Sequence, residues 1–362
     1  MRLLGNLNQH PQDGLYSACW GYTAPNQREY AMLGCWTGTS FADITDSNNI
    51  HEVYFLPGLG ACCREMKTFN HYAYIVGDGA PSGLQIVDLS YLPDSVHLVN
   101  TFFFPLFTRG HTVTQSGPYL YINAGDYKIG GVFVLDLTND PIHPVKRGEW
   151  ESQVVHDSRV INDTMWACNI YDPPGTISVI DVSNKDSLKT ITSWRNEPNP
   201  GPHNIAITKD RNYALVTDEI NGSIDHPRLL KIWDVRNLNN VLFVSSWHPT
   251  NITSAIIHNV EVYDNYAIVA HYTAGVRVVN ISDPHSPVEV AWYDTYPLND
   301  TFAFMGCWAV YKFPSDKIIA SDRSTGLLSI RPPVNALFTN WSISFSKMSK
   351  RDSLSLTIPS LT

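Results

Sequence analysis

Four histidines stand at one equivalent position in successive copies of a repeated sequence, each at the start of a short predicted strand. They are His111, His156, His203 and His258. Imidazole nitrogen suits Fe, Cu, Zn and Ni better than Mg or Ca. If the four rings converge on one point, the sequence predicts a site for one transition-metal ion.

Two other interpretations of these histidines remain open. Each imidazole could bridge waters or bond the backbone of the next repeat, because duplication copies structural residues as readily as functional ones. The rings could also donate hydrogen bonds to a small ligand or glycan that stacks on nearby tryptophans.

Other residues lie beside these histidines at the start of a repeat, or at the end of the second predicted strand of a repeat. They are candidates for binding a ligand next to the histidines. They are Trp20, Arg64, Glu65, Asp157, Asn204, Asn259, Trp308 and Arg323. Asp157 or Glu65 could also orient metal-bound rings, as outer-shell carboxylates do.

The elements that position these residues follow from the repeats. An apolar run ending in Asp or Asn recurs six times at intervals of 45 to 53 residues, with Asp43, Asp88, Asp136, Asp181, Asp234 and Asn280 at its end. We interpret these end residues as turn-forming, because Asp and Asn before Ser or Thr bond the following backbone. A degenerate seventh copy, GLLSIRP, spans 326–332. This period is typical of β-propeller blades.

Each repeat contains four short apolar runs that lie too close together for helical crossovers, which favours antiparallel strands. The seventh repeat supplies only three, and RLLGNLN at 2–8 resembles the missing outer strand. The sequence therefore predicts an all-β fold: a single seven-bladed β-propeller of four-stranded antiparallel blades, with the ring closed by the N-terminal strand. Residues 1–332 form this domain, and 333–362 form a tail or an anchoring or assembly segment.

Composition excludes several classes of protein. The chain has 362 residues, 34 acidic against 25 basic, and only 16% charged residues. The net charge of −9 disfavours nucleic acid and anionic membranes as partners. No apolar stretch is long enough for a transmembrane segment, and the sequence shows no leader and no familiar catalytic motif such as GxSxG, HExxH or a P-loop.

Six cysteines occur without metal-ligand spacing, and we interpret most of them as small buried apolar residues. Strand alternation predicts that Cys62 and Cys63 face opposite ways. Whether Cys35 pairs with Cys62 or with Cys63 stays open. The candidate glycosylation sequons begin at Asn162, Asn221, Asn251, Asn280, Asn299 and Asn340.

Several segments resemble a known family. LQIVDLS, VFVLDLT, ISVIDVS and VRVVNIS resemble the LVIVD repeat of β-propeller proteins. Longer stretches, including REMKTFNHYAYIVGDGAPSGLQIVDLS and GCWAVYKFPSDKIIASDRSTGLLSI, resemble the choice-of-anchor B family across about residues 1–331. The resemblance implies a secreted or surface-held protein but assigns no activity.

We therefore expect an extracellular or cell-surface binding or structural module with a His-lined polar site at one channel mouth, whose partner is an extracellular or cell-surface protein or a glycan. One alternative is a metal-dependent enzyme with a four-His centre. Another is a subunit of an extracellular filament or matrix that self-assembles through its C-terminal tail.

Overall fold

The structure is a computed structural model and describes residues 1–171, 175–198, 200–220, 227–252 and 254–333. Within them, all regular secondary structure is β-strand, in seven sheets of four antiparallel strands. The predicted fold class is confirmed. The tail predicted at 333–362 lies outside the described residues except for Pro333. Its assembly role therefore stays a prediction.

The strands follow one another blade by blade. The chain opens with β1 (Arg2–Leu7). The first blade contains β2 (Cys19–Thr23), β3 (Glu29–Cys35), β4 (Gly38–Asp43) and β5 (His51–Pro57). The second contains β6 (Arg64–Phe69), β7 (Tyr72–Gly77), β8 (Leu84–Asp88) and β9 (His97–Phe102). The third contains β10 (Thr112–Ser116), β11 (Tyr119–Asn123), β12 (Val132–Asp136) and β13 (Val145–Trp150).

The remaining blades have the same order. The fourth contains β14 (Asp157–Ile161), β15 (Thr164–Asn169), β16 (Thr176–Asp181) and β17 (Lys189–Arg195). The fifth contains β18 (Pro202–Ile207), β19 (Tyr213–Asp218), β20 (Leu230–Asp234) and β21 (Leu242–Trp247). The sixth contains β22 (Asn259–Tyr263), β23 (Tyr266–Ala270), β24 (Val276–Asn280) and β25 (Val288–Tyr293). The last contains β26 (Cys307–Lys312), β27 (Ile318–Asp322) and β28 (Gly326–Arg331).

The N-terminal strand closes the ring. β1 pairs antiparallel with β28 and supplies the outer strand of the seventh blade, as the incomplete seventh repeat predicts. Leu7 at the end of β1 is buried. The last sheet therefore joins both ends of the propeller, which covers the edge that β28 would otherwise leave unpaired.

The core lies between blades rather than inside one blade. Val76 and Leu84 of the second blade pack with Val113 and Leu120 of the third, and the same arrangement recurs around the ring. The second and third strands of each blade are buried on both faces, so they have little solvent face for charged side chains. This packing explains the low charged fraction of the sequence.

The residue that ends each third strand forms the predicted turn. In six blades its side-chain oxygen accepts a hydrogen bond from the backbone N–H two residues later, at 2.8 to 3.1 Å. The acceptors are Asp43, Asp88, Asp136, Asp181, Asp234 and Asn280. Asn280, a candidate glycosylation site, therefore uses its side-chain oxygen in this turn.

The other candidate sequons differ in position. Asn162, Asn251 and Asn299 are exposed. Asn221 and Asn340 lie outside the described residues.

One expectation about the cysteines, the orientation of Cys62 and Cys63, is not met by the structure. Cys19, Cys35, Cys168 and Cys307 are buried free thiols, so Cys35 pairs with neither Cys62 nor Cys63. The expectation that Cys62 and Cys63 face opposite ways is wrong, because both precede β6 in a loop and strand alternation does not apply. Their Sγ atoms lie 3.3 Å apart.

Candidate functional site

The four histidines lie at or just before the innermost strands of four consecutive blades. His111 precedes β10, His156 precedes β14 and His258 precedes β22, while His203 is the second residue of β18. Adjacent rings are in contact, with centroids 4.1 to 4.5 Å apart. We call these four residues the histidine cluster. All but His111 are buried.

One nitrogen of each ring holds it in place. Nδ1 of His156 donates to the carbonyl of His203 at 3.3 Å, and Nδ1 of His203 donates to the carbonyl of His258 at 3.1 Å. Nδ1 of His258 donates to the carbonyl of Trp308 at 2.5 Å. A carbonyl oxygen only accepts, so these Nδ1 atoms carry the proton. The rings therefore connect neighbouring blades, and the Nε2 atom of each neutral ring is left with its lone pair.

His111 has a different partner. Its Nδ1 lies 3.0 Å from a carboxylate oxygen of Asp78, at the end of the second strand of the preceding blade. Its Nε2 lies 3.0 Å from Nε2 of His156. Two lone pairs would repel at that distance, so either a proton or a cation must lie between these nitrogens.

A carboxylate faces the other Nε2 atoms. One carboxylate oxygen of Glu219 lies 3.6 Å from Nε2 of His203, and the other lies 3.6 Å from Nε2 of His258. Tyr272 donates a hydrogen bond to Glu219 at 2.9 Å. Nε2 of His258 is buried and makes no hydrogen bond. The donor atoms of His156, His203 and Glu219 lie within 4.8 Å of one another.

The electrostatic environment keeps two buried rings neutral. Burial lowers the pKa values of His156 and His258 well below the usual range, and the charge of neighbouring histidines lowers them further. Burial also lowers the pKa of His111, but the Asp78 carboxylate more than offsets this, so that pKa is raised. Neutral imidazole is the form that binds a metal. The cavity beside the cluster measures about 10 Å³, enough for a single water or ion.

A second polar layer lies next to the histidine cluster. Five predicted ligand-binding residues line one cavity of about 70 Å³: Trp20, Glu65, Asp157, Asn204 and Asn259. The amide of Asn204 donates to Asp157 at 2.6 Å, and Glu65 pairs with Lys67. The bond from Asn204 to Asp157 joins the fifth blade to the fourth, whereas Glu65 and Lys67 lie on the same strand.

The last three predicted residues surround the cluster without joining it. Trp308 contacts the ring of His258, and the guanidinium of Arg323 lies 4.6 Å from the centre of the Trp308 ring. Arg64 is buried and donates to the carbonyls of Cys35 and Leu59, which stabilises the segment between the first two blades.

The sequence analysis assigned no role to Glu219 or to Tyr272. Both follow the second strand of their blades, where loop length differs from repeat to repeat. One signal was available: second-strand ends are rich in acidic residues, and Glu219 directly follows Asp218 in one of them.

Comparisons with known proteins agree with the fold. Residues 257–295 match the LVIVD repeat. The chain carries an LVIVD repeat. The matched residues form the sixth blade of the seven-bladed ring. No curated protein matches the sequence.

Solved propellers resemble the chain in fold only. A putative 6-phosphogluconolactonase from Bacteroides uniformis is 11% identical, with a TM-score of 0.65 over 90% of this chain and 94% of that one. A protein from Lactobacillus plantarum is 12% identical, with a TM-score of 0.61 over 84% and 87%. A hypothetical selenium-binding protein from Sulfolobus tokodaii is 14% identical, with a TM-score of 0.60 over 87% and 84%.

The LVIVD-repeat propeller fold fits a binding or structural module, since propellers often mediate protein binding. No helix among the described residues is long and apolar enough to span a bilayer.

Proposed function

We propose that the protein is an extracellular or cell-surface binding module that holds one transition-metal ion in its histidine cluster. The ligands are Nε2 of His156, His203 and His258 and a carboxylate oxygen of Glu219, with His111 at the outer side. The observation that carries this proposal is the arrangement of the ring nitrogens. Nδ1 of each ring is bonded to protein, while Nε2 of His203 and of His258 faces Glu219 and Nε2 of His156 faces His111.

The donor set fits such an ion. Three imidazoles and one carboxylate are ligands that Zn, Cu, Fe and Ni accept. Nε2 of His258 has no hydrogen bond although it is buried, and an uncompensated buried acceptor is unfavourable. A bound ion would satisfy this atom and would also relieve the close approach of His111 to His156.

The placement outside the cell rests on the resemblance to the choice-of-anchor B family. We propose that the partner, an extracellular protein or a glycan, binds where the cluster opens to solvent. There, exposed Tyr171 and Arg109 line a basin of about 290 Å³ together with His111 and Asp78.

Metal titration tests the proposal. Metal-free protein is titrated with Zn²⁺ by calorimetry, beside His203→Gln, Glu219→Gln and His51→Gln. His51 is an exposed histidine of β5 and serves as the matched control. We expect one equivalent of Zn²⁺ at the histidine cluster, which His51→Gln keeps and which the two cluster variants bind at least about 10-fold more weakly. Equal binding by all four proteins would refute the metal site.

Metal-dependent catalysis is a second candidate, favoured by the same basin, which gives a small molecule access to His111. A panel of hydrolase and oxidase substrates tests it. Turnover by the Zn²⁺-, Cu²⁺- or Fe²⁺-loaded protein that disappears in His203→Gln supports an enzyme. No turnover with any of the three ions supports the binding module alone.

A further inference from the structure

A second group of donor atoms lies outside the histidine cluster. Cys62 and Cys63 occupy the loop between β5 of the first blade and β6 of the second, and Asp78 directly follows β7 of the second blade. The two Sγ atoms are 3.3 Å apart. The Sγ atom of Cys62 lies 3.6 and 3.8 Å from the two carboxylate oxygens of Asp78.

Backbone hydrogen bonds fix this arrangement. The backbone N–H of Cys63 donates to the Asp78 carboxylate at 3.2 Å, and the backbone N–H of Asp78 donates to the carbonyl of Cys63 at 3.2 Å. The second carboxylate oxygen of Asp78 accepts from His111. The carboxylate is therefore held from two sides and faces the exposed sulfur of Cys62. A preorganised set of donor atoms needs little ordering when it binds an ion.

The two sulfurs differ in environment. Cys62 is exposed, and a hydrogen bond from Cys63 lowers the pKa of its thiol to about 7. The hydrogen bond to Cys62, together with burial, raises the pKa of Cys63. Thiolate is the form that binds metals, and the two sulfurs are close enough for one ion to replace the proton between them.

The distances suit a single soft cation. Metal–thiolate bonds of about 2.3 Å allow two sulfurs up to about 4.6 Å apart to share one ion, and 3.3 Å is well within that limit. Thiolate ligands select Cu(I), Zn(II) and similar ions, whereas an Asp oxygen can complete a Zn(II) or Cd(II) site. An ion bound there would displace the proton shared by the two sulfurs and release it to solvent.

We propose that Cys62, Cys63 and Asp78 form a binding site for one thiophilic d¹⁰ cation such as Zn(II), Cu(I) or Cd(II), separate from the histidine cluster. Its outer side is open, because Cys62 is exposed, so the ion enters from solvent and keeps a position for an external ligand. Asp78 also bonds His111, and the two sites therefore share one outer-shell residue. The second site does not require the first to be occupied.

Cadmium titration tests this site specifically. The full chain, kept reduced with a phosphine under nitrogen, is titrated with Cd²⁺ while the ultraviolet thiolate-to-metal charge-transfer band is recorded. The histidine cluster contains no sulfur, so this band reports only thiolate sites. We expect a band that saturates at one equivalent in the wild type and in His203→Gln.

The variants separate the possible results. Cys62→Ser and Cys63→Ser each replace a loop residue outside the hydrophobic core and should remove the band, while near-ultraviolet circular dichroism confirms that the fold is intact. Asp78→Asn should weaken the binding that the band reports but leave the band itself, because both sulfurs remain. A wild type without a band, although thiol titration finds Cys62 and Cys63 reduced, overturns the proposal. So does a band that survives in the Cys62→Ser/Cys63→Ser double variant. If the band is present but calorimetry finds no Zn²⁺ bound at the histidine cluster, the thiol site is supported and only the proposed function is refuted.

Discussion

The carboxylate of Asp218 lies 2.8 Å from Nζ of Lys231, and both side chains are almost completely buried. The amide of Asn196 donates to the same carboxylate at 2.6 Å, and the carbonyl oxygens of Asn196 and Pro198 accept from the ammonium group. The pair connects the end of β19 to the start of β20. Because Glu219 follows Asp218 directly, this pair also fixes the strand end that carries the carboxylate of the candidate metal site.

Removing one charge of this pair should destabilise the propeller strongly. Lys231→Met leaves the Asp218 carboxylate buried without a counter-charge, so we expect the free energy of unfolding to fall by about 3–5 kcal/mol. Urea denaturation measures it. The double variant Asp218→Asn/Lys231→Met removes both charges and should recover part of the loss. A single variant as stable as the wild type would show that the pair does not stabilise the fold.

Tyr272 should tune the metal site without being a ligand. Its hydroxyl donates to Glu219 at 2.9 Å, and loss of such an outer partner usually weakens metal binding about 10–100-fold. We expect Tyr272→Phe to weaken Zn²⁺ binding by this amount in calorimetric titration. Tyr74→Phe is the matched control, since Tyr74 is equally buried and donates to the carbonyl of Pro141 in the third blade. Equal affinity in the two variants would count against Glu219 as a ligand.

The turn at the end of each third strand should depend on an oxygen acceptor rather than on charge. Asp88 accepts the backbone N–H of Ser90 at 2.8 Å. We expect Asp88→Ala to lower the free energy of unfolding by about 1 kcal/mol. Asp88→Asn should cost much less, because Asn280 accepts the equivalent bond in the sixth blade. Chemical denaturation of both variants measures the difference, and equal losses would contradict this role.

Ring closure should contribute much of the stability of the seventh blade. β1 and β28 are paired at five positions. At about 1 kcal/mol for each hydrogen bond, deleting residues 1–8 should cost several kcal/mol and expose the edge of β28. We expect a lower melting temperature in calorimetry and self-association in light scattering. An unchanged melting temperature and a monomeric deletion variant would show that β1 is dispensable for closure.

The fold followed from the sequence because it is encoded locally and repeatedly. The apolar runs and the turn-forming residues from Asp43 to Asn280 form one pattern that occurs six times. An ambiguous repeat can therefore be interpreted from the others. The missing fourth strand of the seventh repeat indicated closure by β1 for the same reason. The histidine column could be aligned because it starts the innermost strand in four consecutive repeats.

The partners of the histidines could not be aligned in this way. Glu219 and Tyr272 follow second strands, where the loops vary in length, and Asp78 reaches His111 from the preceding blade. The cysteine expectation failed for a related reason. Strand periodicity does not extend into the loop that holds Cys62 and Cys63, and the bonds of Asp78 set their orientation there.

The sequence by itself therefore determined the number of blades, their strand order, the closure of the ring and the equivalent position of the four histidines in consecutive blades. These features depend on periodicity and turn chemistry, which act within each repeat. Only the tertiary structure decided that Nδ1 of each buried histidine bonds the next blade, that Glu219 faces the free Nε2 atoms and that two adjacent thiols meet one carboxylate. These contacts join residues of different repeats or irregular loops, and they form only when the blades are docked and the loops are folded.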